Sequence, residues 1–314
     1  MATTATAAER ASESGKKLEF KGVFPANPTP VHTDGRINEE ALRAIFEENL
    51  AHGVNGFWVA GSTGEGPVMS DQQRATTARI AGETISGKGL SIMHVGAIST
   101  ESAVKGARAA KESGCDAICC VPPFFFRASD DSVVEHYKRV VDAADGLPFF
   151  VYNLPQLTQV ETMPPLMEKI VRNVPNVMGL KHSAPNFADI RVFANMGLKC
   201  FSGNGLLLLP ALTMGAVGTV DAPLSIAPWH YTALFDAWER GDMETASRLQ
   251  DEVVKIVDIV RMFGAPAAVT KLILSERLGI DCGRPIPPVA DLTDEQRVVV
   301  LDAARDAGLL QAPA

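Results

Sequence analysis

Eight short apolar runs, separated by longer amphipathic stretches, constrain the fold more than any other feature of this sequence. They are GVFPANPTP (22–30), GFWVA (56–60), SIMHV (91–95), DAICCV (116–121), FFVYN (149–153), VMGLK (177–181), LKCFS (198–202) and AVGTV (216–220). Each is nearly continuous in apolar character, the pattern of a parallel strand buried on both faces. The stretches between, such as NEEALRAIFEENLAHG, SDQQRATTARIAGETI, TESAVKGARAAKESG and SDDSVVEHYKRVVDAA, carry apolar residues at three- and four-residue spacing and begin near Asn, Ser or Thr, which predicts capped amphipathic helices. Eight βα units are the number that closes a (β/α)8 TIM barrel.

Beyond the eighth strand, APWHYTALFDAWERG supplies an eighth helix, and METASRLQDEVVKIVDIVRMF, APAAVTKLILSERLG and DEQRVVVLDAARDAG predict three more. The expected organisation is an α/β barrel over 20–240 with a helical extension over 241–314, preceded by a small, polar, disordered tail over 1–19. A doubly wound sheet with a separate helical domain is the alternative arrangement.

A formal charge of −8 offers no basic field for a nucleic-acid backbone or an anionic membrane, and no apolar run approaches the roughly 18 residues of a membrane span. The five cysteines lack the spaced Cys/His pairs of a zinc site and suit reduced core positions in a cytoplasmic protein.

Three polar features fall at strand ends, where barrel active sites are built. Tyr152 ends the fifth run and Lys181 the sixth, and GSTGEG (61–66) follows the second. Lysine is almost never fully buried without a partner, so one at the end of a buried strand needs a reason. The glycines of GSTGEG allow close approach of backbone amides, and Ser62 and Thr63 add hydroxyl donors, a combination suited to a small carboxylate. Such a loop also serves as a plain helix-capping turn.

Taken in order, G-S-T-G-E (61–65), Tyr152-Asn153-Leu154-Pro155, Gly179-Leu180-Lys181 and S-G-N-G (202–205) resemble the pyruvate-dependent class I aldolases of the N-acetylneuraminate lyase and dihydrodipicolinate synthase superfamily, over roughly residues 20 to 310. The resemblance implies reversible carbon–carbon bond cleavage or formation between pyruvate and an aldehyde, without metal or organic cofactor. It implies that Lys181 forms a Schiff base with pyruvate and that Tyr152 carries protons beside it. A Schiff-base lysine must attack as the neutral amine, which burial favours over the ammonium. Ser62 and Thr63 would hold the pyruvate carboxylate, Gly203 would bring a backbone carbonyl close, and Ser183 would replace a threonine hydroxyl. Val220 belongs to the same implied substrate-binding set, and the resemblance further implies a homotetramer, a dimer of dimers.

Departures from the family pattern concern the acceptor. Leu157 stands where dihydrodipicolinate synthases carry a carboxylate-binding arginine, which moves the balance toward the lyase branch. Gly205 and Leu206 stand where sialic-acid lyases have an Asp-Glu pair, and Phe124, Phe125 and Phe126 replace one or two tyrosines. The expectation is an apolar acceptor pocket touching Leu157, Phe125 and Gly205, with Asp221 and His182 as the remaining sources of polar contact. A 4-hydroxy-tetrahydrodipicolinate synthase and a 2-keto-3-deoxy sugar acid aldolase or dehydratase are the alternative activities, and a non-catalytic binding barrel is a third class.

Overall fold

The computed structural model describes residues 19–313, so the expected N-terminal tail lies outside it but for its last residue. Strands β1 (Gly22–Val23), β2 (Gly56–Val59), β3 (Leu90–His94), β4 (Ala117–Cys120), β5 (Phe149–Asn153), β6 (Val177–His182), β7 (Lys199–Ser202) and β8 (Gly218–Thr219) are parallel throughout. Their order is β1-β8-β7-β6-β5-β4-β3-β2. Hydrogen bonds donated by Asn55 N to Val23 O (3.0 Å) and by Trp58 N to Pro25 O (2.9 Å) bring β2 back to the first segment and complete the ring. The first strand is shorter than its apolar run because Pro25, Pro28 and Pro30 have no N–H to give to a ladder.

Helices α1 (Glu39–Ala51), α2 (Asp71–Ile85), α3 (Thr100–Glu112), α4 (Asp130–Ala143), α5 (Pro164–Asn173), α6 (Asp189–Asn195), α7 (Leu208–Thr213) and α8 (Pro228–Glu239) follow the strands in turn. The first four open on Asn38, Ser70, Ser99 and Ser129, whose side chains each accept from the backbone N–H three residues on, satisfying a donor that the helix itself cannot. The three further helices, α9 (Met243–Val260), α10 (Pro266–Leu278) and α11 (Asp294–Asp306), share an apolar cluster with α1 through Ala41, Ile45, Ile256, Val269, Ile273 and Val300. They therefore pack on the barrel wall.

Alternation along the strands decides which residues face the interior. Phe150 belongs to the cluster that fills the barrel, with Phe24, Trp58, Ile92, Cys119 and Phe201, whereas Phe149 and Val151 face the helices. Trp58, Phe150 and Phe201 meet edge-on at centroid distances of 5.9 to 6.3 Å and plug the interior. Two residues beyond Phe150, Tyr152 faces inward as well. Leu180 belongs to the outer cluster, so Lys181 faces inward beside it. Tyr152 and Lys181 are register partners across β5 and β6, and both sit just above the aromatic plug.

Candidate active site

At the C-terminal end of the strands lies a cavity of about 250 Å³. Ser62, Thr63, Tyr152, Lys181, Ser183 and Gly203 line it, together with Leu154, Gln156, Asn204, Asp221, Ala222 and Arg261. Lys181 is only 4% exposed and Tyr152 2%. The Nζ of Lys181 stands 4.5 Å from the centre of the Tyr152 ring and 5.8 Å from that of Trp58. The Tyr152 hydroxyl is 3.1 Å from Ser62 Oγ, and either can donate. Phenol and serine hydroxyl thus form a hydrogen-bonded pair, and the lysine nitrogen lies over the phenol ring on an otherwise aromatic floor.

The GSTGEG turn is held in an unusual backbone. Ala60 (φ 55°) and Glu65 (φ 59°) both lie in the left-handed region, which side chains adopt at a cost. Two ties fix them. His94 Nδ1 lies 3.0 Å from the Ala60 carbonyl; burial pushes this histidine down to about 3, so the neutral ring donates to Ala60. Glu65 turns away from the cavity to pair with Lys271 Nζ of α10 at 2.6 Å, both side chains essentially inaccessible, and also accepts from Ile286 N. Lys271 donates in addition to the Arg284 carbonyl at 3.0 Å. Burial raises the Glu65 carboxyl and lowers the Lys271 ammonium, each against the attraction of the other. The C-terminal extension therefore supports the loop that carries Ser62 and Thr63.

Gly203 is required by space: a Cβ there would lie 1.9 Å from Ser183 Oγ and 3.1 Å from Lys181 Cε. Only glycine lets β7's exit pass this close to the lysine stem. Asn153 does not face the cavity. It donates to the Thr162 carbonyl (3.1 Å) and accepts from Thr162 N (2.9 Å), bracing the loop after β5. Gln156 Nε2 ties that loop to the Ser183 carbonyl at 2.8 Å.

Four of the expected substrate contacts lie elsewhere. Leu157 points outward at 65% exposure, because the chain enters a single helical turn (Pro155–Thr158) that directs Gln156 inward instead. Phe125 is 77% exposed and stacks edge-on with Phe126 at 5.0 Å, outside the cavity. Val220 is sealed in the barrel core below the site. Gly205 is packed, since Asp221 Oδ2 and the Tyr231 hydroxyl occupy the space a Cβ would take, at 2.5 and 2.7 Å. Those positions therefore do not line the cavity, whose apolar lining residues are Leu154 and Ala222.

Of the two reserve polar residues, Asp221 joins the cavity and His182 does not. His182 Nε2 is engaged by the Asn186 carbonyl at 3.0 Å, and burial lowers its basicity. Asp221 accepts from Gly205 N (2.7 Å) and Ala222 N (2.9 Å); burial raises its carboxyl, against the nearby Lys181 charge and these two amides. Gln156, Asn204 and Arg261 were not foreseen. Gln156 adjoins the Tyr152–Pro155 motif and Asn204 lies within S-G-N-G (202–205), whereas Arg261 follows α9, far along the chain from any strand end.

The family model described as the dihydrodipicolinate synthetase family matches residues 19–307. The N-acetylneuraminate lyase of Enterobacter sp. (strain 638) is 32% identical over 277 residues, spanning 87% of this chain and 93% of the relative. Among solved structures, a Ruminococcus gnavus sialic acid aldolase catalytic lysine mutant matches with a TM-score of 0.88 at 28% identity, covering 92% of this chain and 97% of that one. The Proteus mirabilis N-acetylneuraminate lyase matches at 0.86 and 26% identity over 93% and 100% of the two chains. Barrel, added helices and near-complete sequence match agree: the chain belongs to the dihydrodipicolinate synthetase family.

Proposed function

We propose that this chain is a Schiff-base-forming, pyruvate-dependent carbon–carbon lyase related in activity to the N-acetylneuraminate lyases it resembles. The observation that carries the reading is the buried Lys181 at the mouth of the barrel, 4.5 Å from the Tyr152 ring, whose hydroxyl meets Ser62. In the synthetic direction, Lys181 Nζ attacks the keto carbon of pyruvate and water leaves, giving an iminium. Loss of a methyl proton yields an enamine, whose carbon attacks the aldehyde, and the new alkoxide takes a proton. Hydrolysis of the iminium then releases the product and regenerates the amine. Tyr152, exchanging a proton with Ser62, is the group placed to give and take these protons. Ser62 and Thr63 hold the carboxylate of pyruvate, leaving the keto carbon over Lys181. A catalytic lysine is named for the Ruminococcus gnavus aldolase, and in this reading Lys181 has that part.

Borohydride added with pyruvate should reduce the iminium and add the pyruvate-derived mass to Lys181. Peptide mapping that finds no adduct, or finds it on Lys271, overturns the mechanism. A 2-keto-3-deoxy sugar acid aldolase or dehydratase is the second reading, favoured by Gln156, Asn204 and Asp221 in the lining, which suit hydroxyl groups. Mass spectrometry of the products separates it from the first. The proposal extends to a homotetramer in the cytoplasm, with a barrel over 20–240 and an extension over 241–314. The exposed Phe125–Phe126 pair supports a subunit contact, and five free, buried cysteines suit a reducing compartment. Light scattering gives the mass of the assembly.

A further inference from the structure

His94 is the last residue of β3, 1% exposed, and is not among the residues that line the cavity. Ile92 belongs to the cluster that fills the barrel and Met93 to the outer one, so His94 faces inward. Its Nδ1–H donates to the Ala60 carbonyl at 3.0 Å, and its ring meets the Tyr152 ring edge-on, with centroids 5.9 Å apart and planes at 88°. Nε2 is buried without a hydrogen-bond partner among the described residues. These contacts close a circuit. From Ala60 the chain runs through Gly61 to Ser62, whose Oγ is 3.1 Å from the Tyr152 hydroxyl; the Tyr152 ring rests against His94, and His94 returns to Ala60. Ala60 is the joint that needs holding, because it is wholly buried and left-handed at φ 55°, a backbone that persists only where its surroundings over-determine it. Further along the turn, Thr29 Oγ1 donates to the Gly64 carbonyl at 2.8 Å and Glu65 pairs with Lys271. At the end next to Ser62, the tie is His94.

Resting on the lyase reading above, we propose that His94 is a positioning residue for the proton relay: its Nδ1–H fixes Ala60, and with it the distance between the Ser62 and Tyr152 hydroxyls, while its ring backs the Tyr152 ring. In this role it touches neither pyruvate nor a moving proton. Hydrogen bonds weaken steeply with misalignment, and a small displacement of a reacting group is costly in rate. Lys181 stands on β6, outside the circuit, so loosening the circuit slows transfer of the methyl proton more than it hinders formation of the iminium. Gly96 belongs to the same arrangement. A Cβ there would lie 2.7 Å from His94 Nε2 and 2.6 Å from Val121 Cγ2, so the imidazole takes the place that a side chain would need.

The test uses the full chain with pyruvate alone, so that no acceptor has to be chosen. Exchange of the pyruvate methyl protons in deuterium oxide, followed by NMR, reads iminium formation and proton transfer together, and borohydride trapping on Lys181 reads iminium formation by itself. His94→Leu should slow exchange by about ten- to hundredfold at saturating pyruvate while trapping is retained. His94→Asn sets its amide nitrogen close to the place of Nδ1 and should restore most of the exchange, whereas His94→Gln sets it near Nε2 and should not. A packing role makes Gln at least as good as Asn, since Gln fills more of the ring's volume, and that order overturns the proposal. Exchange in His94→Leu equal to the wild type overturns it too, as does an equal loss of trapping and exchange. Gly96→Ala presses on Nε2 with the donor still present, and covers the case in which no His94 variant folds: slowed exchange with retained trapping supports the circuit, and unaltered exchange overturns it. A wild-type chain that traps no pyruvate removes the lyase reading, whereas trapping with exchange indifferent to position 94 removes only the role of His94.

Discussion

Replacing Lys271 by methionine tests whether the C-terminal extension is part of the active site's support. The Glu65–Lys271 pair is 2.6 Å long and sealed from water, at 0% and 1% side-chain exposure. Lys271→Met keeps most of the side-chain volume but leaves Glu65 buried with the Ile286 amide as its remaining partner. Removing one member of such a pair costs about 3 to 5 kcal/mol, since the orphaned charge stays desolvated. At about 2 to 4 °C per kcal/mol, the melting temperature should drop by about 6 °C or more. The loss should depend on pH. Burial already raises the Glu65 carboxyl, and removing the ammonium removes the attraction that opposes the rise. A group with a raised folded-state pKa contributes stability below its unfolded value, here near the ordinary glutamate range, and loses it as pH rises through the folded value. Lys271→Met should therefore recover toward the wild type at acidic pH and be weakest at alkaline pH. Glu65→Leu combined with Lys271→Met should regain much of the stability, and the Michaelis constant for pyruvate should stay raised wherever the 61–66 turn relaxes. Denaturant unfolding across that pH range checks both claims. A single variant within 1 kcal/mol of the wild type at alkaline pH would refute the reasoning.

The site itself yields three further expectations. Thr63→Val removes a hydroxyl from the carboxylate cradle and should weaken pyruvate binding by about 1.5 to 3 kcal/mol, roughly ten- to hundredfold, read by calorimetry; unchanged affinity would make the loop a structural turn. Gly203→Ala pushes a methyl against Ser183 Oγ and Lys181 Cε, so turnover should fall by about tenfold or more while folding survives, and Ser183→Ala in the same chain should return part of it. Tyr152→Phe keeps the ring packed on Trp58 but deletes the proton carrier, and should cost about 10²- to 10⁴-fold in kcat; equal turnover would move that role elsewhere.

What could be read from the sequence follows from how local the determining physics is. The eight strands were legible because burial on both faces writes a continuous apolar run, and the first four helices because their caps are local hydrogen bonds. Tyr152 and Lys181 were legible because a polar residue ending an apolar run needs a site to explain it. Phe125 and Leu157 misled because sequence position gives a loop's residues but not their directions. A left-handed Phe125 (φ 78°) and one helical turn at Pro155–Thr158 turn both side chains to the solvent, and Gln156 takes the inward place. Arg261 left no signal at all. It reaches the cavity only because α9 packs across the barrel and ends at its mouth, and that packing is set by distant apolar contacts of Leu249, Val253 and Val257 with the main core. The same reasoning identifies where related sequences should diverge. In the proposed mechanism the strand ends carry the chemistry of pyruvate, so changes there should remove activity, whereas the length and phase of the C-terminal helices decide which residue α9 brings to the cavity. The added helices thus contribute one lining residue of the cavity, from the part of the chain whose role is least visible before the fold is known.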